Sequence, residues 1–107
     1  MKQYLDTQQT AKLIELGFEK PSPSFYSIGA TWVKCEGNYS IGELIEKLPE
    51  NIAKENEMPS TLNISLMNGE WCVQYADFLG TDFEFCNTEL VDALYDMFVR
   101  LKEKGVI

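Results

Sequence analysis

Histidine is absent from this chain of 107 residues, and with it goes the imidazole that most general-base and zinc schemes require. The three cysteines, Cys35, Cys72 and Cys86, are odd in number and form no C-x-x-C. Neither a disulfide framework nor a zinc site is expected, and buried thiols in a reducing compartment are the natural reading. Seven glycines are scattered along the chain, so there is no glycine-rich phosphate loop and no G-x-S-x-G nucleophile turn. Lysine and arginine are missing from Glu70 to Val99, a stretch that carries seven acids. Net charge is −8 and the isoelectric point about 4.4, which excludes nucleic-acid backbone binding, since that needs clustered cations. No run approaches the roughly 20 apolar residues of a membrane span, and the opening MKQYLDTQQT lacks the apolar core of a signal peptide. A cytoplasmic protein with no membrane association is therefore expected. Composition does not shift along the chain and no repeat is present, so residues 1–107 are read as a single α+β domain.

What the chain does have is a strongly periodic last segment. At 100° per residue, Leu90, Val91, Leu94, Met97, Phe98 and Leu101 fall in one stripe, with Glu89, Asp92, Asp96, Arg100 and Glu103 opposite. This predicts an amphipathic helix over 88–104, capped by Asn87 or Thr88 and ended by Gly105. Its acids lie near the positive end and its bases near the negative end, and Asp96 stands four residues before Arg100. Burial of the stripe is worth on the order of 10 kcal/mol gross, before the entropy of ordering it.

Earlier in the chain, Asp6 and Gln9 stand at capping-box spacing for a first helix that Gly17 stops, after which Phe18 is placed to pack back on Leu13. The segment LDTQQTAKLIELGF resembles the opening helix of a helix-turn-helix, but Pro21 and Pro23 forbid a second helix directly after it. Residues 25–28 and 31–35 flank Gly29-Ala30 and suit a hairpin or one bent strand. Ser40 and Glu43 form an S-x-x-E box with Tyr39 and Leu44 at staple spacing, which starts a short helix that Pro49 ends. Residues 50–60 are polar and read as a mobile connection, with Ile52-Ala53 giving one further helical turn. Leu62, Ile64 and Leu66, then Asn68-Gly69, then Trp71, Val73 and Tyr75 spell a hairpin with a type I′ turn. A turn containing Gly80 and a strand through Phe83 and Phe85 complete the pattern. The predicted fold is α+β: an antiparallel β-meander of three to five strands covered by a long C-terminal amphipathic helix and two shorter helices.

No catalytic constellation emerges, so an enzyme is not expected and no cofactor or metal ligand is assigned. Cys35 beside Lys34 has no base to activate it. Asp77, Asp82 and Glu84 surround the Gly80 turn, but their spacing matches no metal loop. Tyr26, Trp32, Trp71 and Tyr75 come from neighbouring strands and divide between core and binding surface, with Trp71 and Tyr75 in phase to lie under the last helix.

The segments YSIGELIEKLP, W-x-V-x-Y and ELVDALYDMFVRLKEKG resemble small acidic proteins of unassigned function carried by bacterial phage and mobile elements. The resemblance implies no functional residues. The residues themselves point to a protein-binding or accessory module that acts through its free sheet face or an acidic surface of Asp77, Asp82, Glu84, Asp92 and Asp96. Its expected partner is a protein, a basic one suiting the charge. One alternative is a nucleic-acid mimic or regulator that occupies a basic host protein; another is a small-ligand or metal-dependent enzyme that uses the turn carboxylates. A homodimer through an uncovered sheet edge is also compatible with strands that carry little Pro or Lys.

Overall fold

The structure is a computed structural model that describes residues 1–21, 24–35, 37–54 and 57–107, with backbone alone over 24–28, 31–35, 54 and 57. Along the chain come α1 (Thr7–Glu15), β1 (Ser24–Ile28), β2 (Thr31–Cys35), α2 (Ile41–Lys47), β3 (Asn51–Lys54), β4 (Glu57–Met67), β5 (Glu70–Asp77), β6 (Gly80–Asn87) and α3 (Leu90–Glu103). The fold is α+β. The last four strands form one antiparallel sheet in the order β3-β4-β5-β6, and β1 pairs with β2 as a separate hairpin. Residues 25–35 are thus a hairpin rather than one bent strand. The side chains of Tyr26, Trp32 and Cys35 lie outside the described residues.

Helix α3 buries Leu90, Val91, Ala93, Leu94, Met97, Phe98 and Leu101, which is the expected stripe with Ala93 added at its border. Beneath it run two cross-strand rows, Ile64–Val73–Phe85 and Leu62–Tyr75–Phe83. Val73 and Tyr75, on the central strand, are fully buried, and their neighbours to either side are half-buried. Because side chains alternate across a strand, the phase that sends Trp71, Val73 and Tyr75 to the helix sends Cys72, Gln74 and Ala76 to the other face. There they meet Asn63, Ser65, Glu84 and Cys86. That second face is polar, as a one-sided antiparallel sheet requires.

Turn and cap chemistry follows the residues. Asn68 and Gly69 both take positive φ, 51° and 78°, the pair of conformations that a type I′ turn needs. Asp6 and Gln9 make a reciprocal capping box at α1. Ser40 accepts from the Glu43 amide at 3.1 Å to start α2, with Tyr39 and Leu44 both buried behind it. Both α1 and α3 end in a left-handed glycine. The Phe18 amide reaches the Leu13 carbonyl at 3.1 Å and the Val106 amide the Leu101 carbonyl at 2.9 Å, the long bond of a Schellman motif in each case. Phe18 then meets Phe98 edge-on at 5.0 Å. The α3 cap is weaker than expected: the helix begins at Leu90, and Asn87 accepts from the Glu89 amide instead of from the first turn.

Two expectations are corrected. Residues 51–54 form β3 rather than a helical turn in a mobile connection, and β4 begins at Glu57 rather than near Leu62. Ile52 is buried, and it pairs with Ser60. So short a segment has no periodicity of its own, and the long β4 supplies its ladder. Pro59 sits where the β3–β4 register shifts, a position that does not need its amide. The second correction concerns the cysteines: Cys72 and Cys86 are bonded across β5 and β6, with Cα atoms 4.1 Å apart. An odd number of widely spaced cysteines reads as free thiols only until a register brings two of them opposite. The thiol argument for a reducing compartment falls with it.

The rest of the core comes from Leu5, Leu13, Tyr39, Leu44, Leu48 and Ile52. The N-terminal segment is held to the α2 entrance by Leu5 N–H to Tyr39 O at 2.9 Å and Ile41 N–H to Gln3 O at 3.0 Å. Tyr75 donates to the Pro49 carbonyl at 2.7 Å, so a buried phenol is satisfied, and burial pushes its pKa up to about 12. Tyr39 donates to the Glu19 carbonyl in the same way. Among the described residues, no helix is long and apolar enough to cross a membrane.

Two measurements check this packing. Leu94→Ala, at a site with no exposure, is expected to lower stability by about 2–5 kcal/mol in urea unfolding; a loss near zero would mean that α3 is not docked. Unreduced, denatured protein should titrate one thiol, Cys35, and fully reduced protein three. Opening the loop, whose ends are 14 residues apart, should cost about 3 kcal/mol. Three thiols without reductant would exclude the Cys72–Cys86 bond.

Candidate functional site

Alternation along a strand normally sends neighbouring side chains to opposite faces. Yet Asp82, Phe83, Glu84 and Phe85, four consecutive residues of β6, border one open groove of about 560 Å³. The groove therefore runs along the edge of β6 rather than over either face. Its other wall is α3, through Tyr95, Asp96, Val99, Arg100 and Glu103. Their spacing of one, four, five and eight residues puts Tyr95 and Val99 in line with Val91 at the border of the buried stripe, and Asp96, Arg100 and Glu103 on the face opposite it. The helix is placed there because its apolar stripe settles on β5 and β6, leaving that border overhanging the last strand.

The wall residues divide by chemistry. Phe83, Phe85, Tyr95 and Val99 are half-buried and give an apolar lining. Asp82, Glu84, Asp96 and Glu103 are acidic, and Arg100 is basic, so four negative charges face one positive and the formal balance is −3. Burial raises the Asp96 pKa above the usual aspartate value, and the Asp92 charge adds to the effect. Tyr95 is raised by burial, then by the charges of Asp96 and Asp6. Both shifts report partial desolvation first, and the charges that add to it include Asp92 and Asp6, which lie outside the groove lining. The expected help from Arg100 to Asp96 does not materialise, since no ion pair joins them among the described residues.

The five acids singled out in the sequence part company here. Asp82, Glu84 and Asp96 are brought together in the groove. Asp82 also accepts from Ser60, which is fully buried. Asp77 instead shapes the β5–β6 turn, with its Oδ1 accepting from the Leu79 amide at 2.8 Å and the Gly80 amide at 3.1 Å. Asp92, one turn before Asp96 on the same face of α3, is engaged by the N-terminal segment. It accepts from Lys2 Nζ at 2.9 Å and from Gln9 Nε2 at 2.9 Å, while the Lys2 amide donates to Glu89 at 2.7 Å. Burial raises the Asp92 pKa, but the Lys2 and Gln9 hydrogen bonds and the Lys2 charge outweigh it, and the net shift is downward. Asp77, Asp82 and Glu84 do not converge. No group of three or more potential metal-ligating side chains gathers among the described residues.

Sequence reasoning missed Glu103 and the apolar lining of Phe83, Phe85, Tyr95 and Val99. Glu103 stands seven residues, almost two helical turns, from Asp96, a spacing that puts both on one face and could have been seen. It also missed Phe78 and Leu79, which are 87% and 90% exposed at the tip of the β5–β6 turn. Trp71 is packed against the core and Tyr75 is inside it, so neither belongs to a binding face. Comparison with family models, with curated proteins and with solved structures found no match for this chain.

The two opposed aspartates give a pH-dependent pair of expectations. A carboxyl raised in the folded state costs stability above its folded pKa and costs nothing once both states are protonated. Asp96→Asn should therefore raise Tm at neutral pH, with the gain vanishing below the ordinary aspartate range. A lowered carboxyl adds stability above its unfolded pKa that is lost as pH falls through the folded one. Asp92→Asn should thus lower Tm at neutral pH and converge on the parent in acid. Thermal melts across pH read both, and two changes of the same sign would contradict the assignment.

Proposed function

We propose that this chain is a non-enzymatic binding module whose groove between β6 and α3 receives a basic segment of a partner protein. The observation that carries the reading is the gathering of Asp82, Glu84, Asp96 and Glu103 around an apolar lining, with Arg100 as the one cation among the groove residues. Long Lys or Arg stems can cover Phe83, Phe85 and Tyr95 while their charged ends reach the carboxylates. A concave acidic site suits a protruding cationic segment. A nucleic-acid mimic would instead need carboxylates displayed outward to enter a basic groove, and of the five acids singled out in the sequence Asp77 and Asp92 already serve a turn and an ion pair.

The test is fluorescence polarisation with capped basic and acidic peptides of equal length at low and high salt. Basic peptides should bind, the acidic set should not, and added salt should weaken the binding. Glu84→Lys with Glu103→Lys should reduce affinity at least about tenfold, the scale of one or two lost charge contacts. Arg100→Ala should strengthen it. A control reversal at exposed Glu46, on α2, should leave it unchanged. Equal weakening by groove and control reversals would mean unspecific charge attraction and end the proposal, as would failure of every basic peptide to bind.

A further inference from the structure

An edge strand offers more than its side chains. Strand β6 pairs on one side with β5, and no strand lies beyond it among the described residues. The register identifies which main-chain groups face outward. Directly opposed residues in an antiparallel ladder alternate between a wide pair, about 5.5 Å between Cα atoms, that exchanges hydrogen bonds and a narrow pair, about 4.5 Å, that does not. Cys72 and Cys86, at 4.1 Å, are a narrow pair. The amide and carbonyl of Cys86 therefore point away from β5, and so do those of Glu84, two residues back in unbroken register. Phe83 and Phe85 are the wide pairs that bond to β5. Glu84 thus lends the groove both a carboxylate and an open main-chain donor and acceptor.

We propose that β6 accepts an additional strand from the partner: an extended segment with Lys or Arg at alternate positions, bonded to the open edge at Glu84 and Cys86 and lying between it and α3. This rests on the basic-partner reading above and adds how the partner is held. The helix wall from Tyr95 to Glu103 is about 12 Å long at about 1.5 Å per residue, which seats about four residues of extended chain at about 3.3 Å each. Main-chain bonds supply affinity in strand addition, and alternate side chains supply selectivity. The Lys or Arg set of the added strand faces Asp96 and Glu103 on the helix side, and the intervening set lies beside Glu84 on the opposite face. Charge decides between this occupant and a second copy of the chain. Pairing β6 with another β6 sets acidic strand against acidic strand, and like charges opposed across a ladder are destabilising.

The experiment uses the full chain and a capped peptide of alternating Lys and Val long enough to span the groove. Amide hydrogen exchange by NMR should show the Glu84 and Cys86 amides becoming protected on binding, with Phe83 and Phe85 unchanged. Because alternate residues of a strand bond to the same side, N-methylation of one alternate set should cost at least about tenfold in affinity, as losing two net hydrogen bonds would. The other methylated set should bind like the parent. If the peptide binds and is lost on Glu84→Lys with Glu103→Lys, yet the Glu84 and Cys86 amides stay exposed or both methylated sets bind equally, strand addition is wrong and the acidic groove stands. If the peptide does not bind, the groove reading fails and strand addition with it. A dimer by sedimentation with those two amides protected before any peptide is added would assign the edge to a second copy and overturn the proposal.

Discussion

Docking of the α3 stripe onto the inner face of β5 and β6 is the constraint from which the rest of the structure follows. The central strand brings Val73 and Tyr75 up to the helix with no exposure. The flanking strands add Leu62, Ile64, Phe83 and Phe85 at reduced burial, because they lie at the sides of the cylinder above them. A sheet covered in this way needs nothing on its other side, and the residues there are polar or small. The same contact carries the N-terminal segment, since Lys2 and Gln9 engage Asp92 on α3 and Phe18 meets Phe98 edge-on. Loss of the helix would leave both the sheet and α1 without a partner for their apolar surface.

The groove is a by-product of that docking. A helix is wider than a strand, so one laid over the last two strands of a sheet overhangs the outer one, and the space beneath the overhang is bounded by the strand edge. What the sequence adds is the lining. Acids on α3 and along β6 border the groove, Asp82, Glu84 and Glu103 exposed and Asp96 half-buried. Structural economy gives no reason to half-bury the Asp96 carboxyl, whose pKa burial pushes up. That cost is what a bound cation would relieve, and it links the packing of the fold to the reading of the groove as a site of recognition.

Much of this was legible in the residues. Strong periodicities announced α3 and the β4–β5 hairpin, and the chemistry of Asn68-Gly69, Ser40 and Asp6 marked their turns and starts. The misread places have particular causes. Asn51–Lys54 has no internal pattern and becomes a strand because β4 is long enough to pair with it on its other side. Cys72 and Cys86 looked like separate thiols because their meeting depends on the register set by the turn between them. Asp77 and Asp92 looked equivalent to Glu84 and Asp96 as acids in a base-free run, and they separated when the turn and the N-terminal segment claimed them.

The sequence by itself determined the three helices, the β4–β5 hairpin and which face of each is apolar, because hydrophobic spacing and local capping act within a few residues. It also determined that the surface would be acidic. Only the tertiary structure decided which acids stand together, which cysteines meet and which strand keeps an open edge. Those outcomes depend on where a helix comes to rest across a sheet and on how strands register with one another. Both are set by contacts between residues far apart in the chain, which no local pattern records.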